Sequence, residues 1–182
     1  MTIITEEYQG DYEKMDENKK NDTKTERNEN INLIPQVLTA NSEAFLRFEE
    51  KIKTLGYSEV NINVGCPSST VVKKGRGAGF LKNPDEMERF FEEIFKKTEL
   101  KISVKTRIGF YSGEEMERLA DVYRNFPFSS VIIHPRVRED YYRGEPKIEI
   151  FKKAYASIGE NVCYNGDVFK KADFDKLKVD FP

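Results

Sequence analysis

Cys66 is the residue in this chain whose type and position most directly point to chemistry. It closes the run Glu-Val-Asn-Ile-Asn-Val-Gly-Cys-Pro at residues 59–67. Val60, Ile62 and Val64 alternate with Asn61 and Asn63, the period of a β-strand. Asparagine is depleted in strands because its amide competes for backbone hydrogen bonds, yet two stand here in register. The strand then meets Gly65, a thiol and a proline that ends pairing. A polar strand face finishing in a small residue and a thiol reads as one wall of a site. Cys163 lies mid-strand among apolar residues and reads as a small buried hydrophobe.

Other residues offer complementary chemistry. Lys105 and Arg107 share a strand face with Ser103 and would direct cations at an anionic ligand. His134, the chain's one histidine, stands two residues before Arg136 and reads as a donor to a polar ligand. Asn165-Gly166-Asp167 is a turn signal that would also bring backbone N–H groups near a cofactor. The glycines at 75, 77 and 79 read as a mobile lid rather than a dinucleotide fingerprint, because no strand immediately precedes them. Lys73, Lys74, Arg76 and Lys82 give that segment a local positive charge able to meet phosphate.

These residues must be positioned by alternating elements. Strands are expected at 33–39, 59–64, 101–107, 129–136 and 161–165. Between them, amphipathic helices are expected near 44–52 (Ser42 as N-cap, Gly56 closing), 87–95, 114–125 and 147–157, with a last turn at 173–177 and a long loop at 67–83. Strand-helix alternation without tight hairpins predicts a parallel sheet of right-handed βαβ units, either an open doubly wound sheet or a piece of a (β/α)8 barrel. Polar groups gather at the C-terminal ends of all five strands: Gln36, Asn61 and Asn63, Lys105 and Arg107, His134 and Arg136, Asn165. Such a face is costly inside a doubly covered sheet, whereas a barrel lumen collects it into a pocket. The fold class is therefore α/β, an incomplete TIM barrel of about five parallel βα units, since eight units take about 250 residues. Its open edges would favour self-association; the oligomeric state is not specified by the sequence.

Composition sets the outer bounds. The chain has 182 residues, 38% hydrophobic and 34% charged, with net charge -2. No global field draws it to nucleic acid or anionic lipid, so such a partner would be met by a local patch. No apolar run approaches membrane-spanning length, and the N-terminus lacks a signal-peptide pattern. With two cysteines and no disulfide framework, a cytoplasmic location is expected. Residues 1–32 are almost wholly polar and are expected to be a disordered tail, with residues 33–182 forming the partial barrel domain.

Asn-Ile-Asn-Val-Gly-Cys-Pro, Lys-Gly-Arg-Gly-Ala-Gly-Phe-Leu, Ser-Val-Lys-Thr-Arg-Ile-Gly, His-Pro-Arg-Val-Arg and Asn-Gly-Asp occur here in that order. Together they resemble the tRNA-dihydrouridine synthases, FMN-dependent (β/α)8 flavoproteins that reduce uridine in tRNA. The resemblance covers roughly residues 34–182. It implies Cys66 as the general acid that protonates carbon 5 of uracil, with FMN giving hydride to carbon 6 and NADPH as reductant. It implies Asn63 as a uracil contact, Gln36, Lys105 and His134 around the flavin ring, Arg136 beside that histidine, and Asn165 and Gly166 near the ribityl and phosphate. Lys73, Arg76 and Arg138 become substrate contacts, in or beside a segment that closes over the flipped-out base. A thiol with an ordinary pKa of about 8.5 is protonated at neutral pH and suits the donor role. Family members also carry a first strand with a Pro-Met flavin contact, a second strand, an eighth strand with a Gly-Arg phosphate clamp and a C-terminal helical domain. None is matched here, and His-Pro-Arg stands for the commoner His-Gly-Arg, so the chain resembles the middle of such an enzyme. Two alternatives accompany this reading: a truncated remnant without catalysis, and another FMN barrel reductase acting on a small molecule.

Overall fold

The computed structural model describes residues 32–181; the polar tail expected at 1–32 lies almost entirely outside the described residues. Five strands alternate with helices: β1 (Gln36–Val37), α1 (Ser42–Thr54), β2 (Glu59–Asn63), α2 (Ser69–Val72), α3 (Pro84–Phe95), β3 (Lys101–Arg107), α4 (Met116–Arg124), β4 (Ser130–His134), α5 (Ile148–Ile158), β5 (Val162–Tyr164) and α6 (Lys171–Asp180). The strands form one sheet in sequence order, parallel throughout. This is the partial barrel that the strand pattern predicts.

The pairing explains why the two sheet faces differ. Gln36 pairs with Asn61 and Asn61 with Ser103, while Asn63 pairs with Lys105 and Arg107 with His134. Paired residues of parallel strands point the same way, so these groups share the concave face. The other face carries Val37, Ile62, Val104 and Val131 in one register row. Each of these four is fully buried beneath the helices. The helices meet them with aromatic rings: Phe91 of α3 lies 5.0 Å from Phe128 and 6.3 Å from Tyr123 of α4, both edge-on or tilted. Such rings bury large apolar areas between helices and sheet.

Local chemistry sets the helix ends. The N-cap of α1 is Asn41, whose Oδ1 accepts from the Ala44 backbone N–H at 2.8 Å; Ser42, expected as the cap, is the first helical residue. At the other end Gly56 adopts φ 86° and its N–H bonds the Lys53 carbonyl, as that glycine predicts. The stretch expected as a long loop at 67–83 holds α2 and a 3-10 segment, Gly77–Lys82.

Candidate active site

At the C-terminal ends of the strands lies a partly open cavity of about 220 Å³. It is lined by Asn63, Gly65, Cys66, Pro67, Lys105, Thr106, Arg107, His134, Tyr142 and Asn165, none of them acidic. Cys66, Lys105, His134 and Asn165, singled out on separate strands, thus meet at one place. A larger groove of about 550 Å³ between α4 and α5 is lined by Met116, Ala120, Ile150 and Ala154 and gathers no strand-end groups.

The thiol is held by its backbone. Asn63 Oδ1 accepts from the N–H groups of both Gly65 and Cys66, each at 3.0 Å, and fixes the turn out of β2. Ala78 N–H donates to the Cys66 carbonyl at 2.9 Å. Gly77, at φ 54°, packs so closely that an added Cβ would lie 2.9 Å from that carbonyl and 2.8 Å from Val71 Cγ1. Residues 77–81 are all buried. The buried part of the segment expected to be a mobile lid is instead a packed buttress beneath Cys66; Gly77 and Gly79 serve close approach, while exposed Gly75 turns the chain at φ 67°.

Behind Asn63 runs a closed polar chain. Asn63 Nδ2 donates to Gln36 Oε1 at 2.9 Å, Gln36 Nε2 to Asn61 Oδ1 at 2.6 Å, and Asn61 Nδ2 to Ser103 Oγ at 3.0 Å. Gln36 is buried and spends both ends of its amide here, so it orients Asn63 rather than lining the cavity. One Nδ2 hydrogen of Asn63 is left to offer.

The cations are arranged differently. Lys105 is half-buried and has no carboxylate partner among the described residues; burial, and then the neighbouring Arg107, hold its pKa below the ordinary lysine value. Arg107 is buried and ties three backbones together, donating to the carbonyls of Gly65 (2.9 Å), Val137 (3.1 Å) and Tyr141 (2.7 Å). Burial lowers its pKa also. Tyr141 is a non-glycine residue at φ 54° and ψ -102°, a strained conformation costing about 1–3 kcal/mol. It is pinned by Arg107 at its carbonyl and by a hydroxyl contact to Ser69 at 3.2 Å. The strained turn sets the Tyr142 ring at the cavity, 5.2 Å from the Arg107 guanidinium and edge-on to His134 at 6.0 Å. Tyr142 was not among the residues expected at the site; a tyrosine in a polar loop carries no periodic signal.

Arg136 leaves β4 after Pro135 and folds back beneath His134. Its Nη1 contacts His134 Nε2 at 3.2 Å, and two parallel bonds of 2.7 and 2.6 Å join it to Asp167. Nε and Nη2 both donate to the Gly144 carbonyl. All five guanidinium donors are thereby committed, so Arg136 stands behind the cavity and does not face it. A guanidinium only donates, which makes His134 Nε2 the acceptor and places the ring proton on Nδ1. Burial, followed by the charges of Arg107 and Arg136, pushes the His134 pKa down to about 4. The imidazole is neutral at pH 7. Asn165 lines the cavity, with its backbone N–H bonded to Ile133 at 2.9 Å. Gly166 lies outside it, against the Tyr164 ring.

Three further expected residues lie apart. Lys73 is exposed and Arg76 half-exposed, and neither lines the cavity. Arg138 is largely buried between the rings of Phe110 and Tyr141, with Nη1 on Glu139 and Nη2 3.4 Å from Ser69 Oγ. Cys163, expected to be buried, is exposed on the concave face, paired with Ile132; the protein around it still holds its thiol pKa above the usual value. No helix among the described residues is long and apolar enough to cross a membrane.

The chain is similar to known proteins. The family model described as dihydrouridine synthase matches residues 8–178, and so takes in most of the polar N-terminal stretch. A probable tRNA-dihydrouridine synthase 1 from Synechocystis is 28% identical over 121 residues, 66% of this chain and 34% of that protein. The tRNA-dihydrouridine(16) synthase of Shigella flexneri is 36% identical over 93 residues, 50% of this chain and 30% of its own length. A probable tRNA-dihydrouridine synthase from Staphylococcus aureus is 28% identical over 131 residues, 69% of this chain. The chain spans about 30–40% of the length of these relatives.

Proposed function

Because the chain belongs to the dihydrouridine synthase family, we propose that it carries the catalytic face of a flavin-dependent reductase converting uridine in tRNA to dihydrouridine. The observation that carries this reading is the acid-free cavity with a thiol on its rim and cations on its wall. A planar ring rich in carbonyl oxygens fits that donor set. The Lys105 ammonium, the His134 Nδ1–H and the remaining Asn63 N–H donate, and no lining carboxylate competes for them.

Lys105, His134 and Asn165 would hold the isoalloxazine and ribityl of FMN; Gln36, Arg136 and Gly166 act one step behind them. Bound there and reduced by NADPH, FMN would supply the hydride for carbon 6 of uracil. Cys66 supplies the proton at carbon 5. Its S–H bond breaks as the C5–H bond forms, the C5=C6 double bond is consumed, and the thiolate is reprotonated from solvent. Asn63 and Arg107 orient the base, and the Tyr142 ring covers it. Extraction of the base from the RNA stack brings it within reach of the thiol. Lys73 and Arg76 meet RNA phosphates.

The test is reduction of unmodified tRNA by the FMN-loaded chain with NADPH, read as dihydrouridine by nucleoside mass spectrometry. Cys66→Ala is expected to cut turnover by roughly 100-fold or more while flavin absorbance is retained. Undiminished turnover in that variant would remove Cys66 from the acid role. A second reading is flavin binding without turnover. Flavin retention with no dihydrouridine, in a chain that binds tRNA, would select it.

A further inference from the structure

Beside the cavity, Phe110 and Tyr111 follow Arg107 by three and four residues. Tyr111 is 67% exposed, yet it is not a loose side chain. Its ring stands edge-on to buried Phe110, with centroids 4.5 Å apart. The Glu115 carboxylate accepts from the backbone N–H groups of Phe110, Tyr111 and Ser112 at 2.7, 2.9 and 2.9 Å, which locks the loop. Lys82 Nζ lies 4.3 Å from the Phe110 centroid and 5.7 Å from that of Tyr111. It is exposed and forms no ion pair among the described residues. Arg138 also approaches the Phe110 ring, at 5.4 Å. Two of the surrounding carboxylates are committed. Glu115 is spent on backbone donors, and Glu139 is paired with Arg138 at 2.8 Å.

A rigid exposed ring with an unpaired ammonium beside it has the composition of a stacking platform for single-stranded nucleic acid. Tyr111 lies four residues beyond the cavity-lining Arg107, a span of at most about 14 Å, so the platform stays within reach of a nucleotide flanking one held in the cavity. We propose that Tyr111, Phe110, Lys82 and Arg138 form a second nucleotide subsite, in which Tyr111 stacks on a base flanking the reacting uridine and Lys82, backed by Arg138, receives the connecting phosphate. The subsite rests on the RNA reading above. It adds to that reading a residue that grips neighbouring sequence instead of the reacting ring.

The experiment compares binding of UMP and of a fluorescent single-stranded trinucleotide, UUU, to the full chain. Tyr111→Ala is expected to weaken UUU by about tenfold and to leave UMP unchanged, while Tyr111→Phe retains both. Lys82→Gln is expected to lower the slope of log affinity for UUU against log salt by about 0.7. Tyr111 is solvent-exposed, so loss of folding does not confound its substitution. Unchanged UUU affinity in Tyr111→Ala would overturn the subsite, as would equal weakening of UMP and UUU, or no UUU binding at all. Binding of polyglutamate as tight as that of UUU would reassign the face to an acidic protein and overturn it too. The cavity assignment fails separately: absent UMP binding with UUU still dependent on Tyr111 would sink the uridine pocket and leave the subsite standing.

Discussion

The concave face of the sheet carries polar groups on both sides of β3, but the two sides use polarity in opposite ways. Between β1 and β3, Gln36, Asn61, Asn63 and Ser103 bond one another in a chain closed to solvent. Between β3 and β5, among the described residues, Lys105 has no carboxylate and His134 keeps its Nδ1–H unspent. The first side converts polar groups into rigidity. The second leaves donors exposed to whatever enters, at a desolvation cost that only a ligand offsets. Stability and chemistry are thus separated by a single strand, and the coupling between them is Asn63, which ends the closed chain and holds the Cys66 turn.

Substitution on each side should tell the two apart. Asn61→Leu removes the acceptor of the Gln36 Nε2–H and the donor to Ser103 Oγ, which keeps only its 3.5 Å contact to the Val60 carbonyl. The expected loss is about 3 kcal/mol in urea unfolding, with weaker flavin binding because Gln36 no longer fixes Asn63. Lys105→Met removes a half-buried cation that has no carboxylate partner among the described residues. Stability is expected to stay within about 1 kcal/mol of the parent, on the higher side, while FMN affinity falls by tenfold or more. If Lys105→Met unfolds the chain as readily as Asn61→Leu, the cations are structural and the contrast is broken.

The contrast was partly legible in the chain itself. Alternation of two carries the strands and their faces, and helical spacing of Met87, Phe90, Phe91 and Ile94 carries α3, because both report burial directly. Groups projecting from regular strands, such as Cys66, Lys105 and His134, could therefore be brought together on paper. What resisted was everything decided by a distant contact. Gly77 reads equally as a hinge or as close packing until Cys66 and Val71 are seen against it. Arg136 reads as a ligand contact until the chain turns at Pro135 and Asp167 and Gly144 absorb its donors. Asn41 and Ser42 are both good caps, and sequence alone does not choose between neighbours. Tyr142 reaches the cavity only through a strained turn at Tyr141 that no periodicity encodes.

The smallest effect gives the finest measure of the exposed side. His134 is the chain's single histidine, so its ring resonance titrates alone in NMR. Its folded pKa is about 4, against about 6.5 for an unperturbed histidine. Between these values the unfolded chain binds more protons than the folded one, so stability rises with pH across the window and is lost as pH falls from 6.5 through 4. Lys105 is the weakest of the cations depressing this pKa, after Arg107 and Arg136. Lys105→Met is therefore expected to raise the midpoint only slightly and to leave the Nδ1–H tautomer, read from the ring nitrogen shifts, unchanged. A midpoint near 6.5 in the parent chain would mean that the cavity wall is solvated, and that the Arg107 and Arg136 charges are screened before they reach the ring. The donors on that side would then be ordinary surface groups, with no desolvation for a ligand to offset.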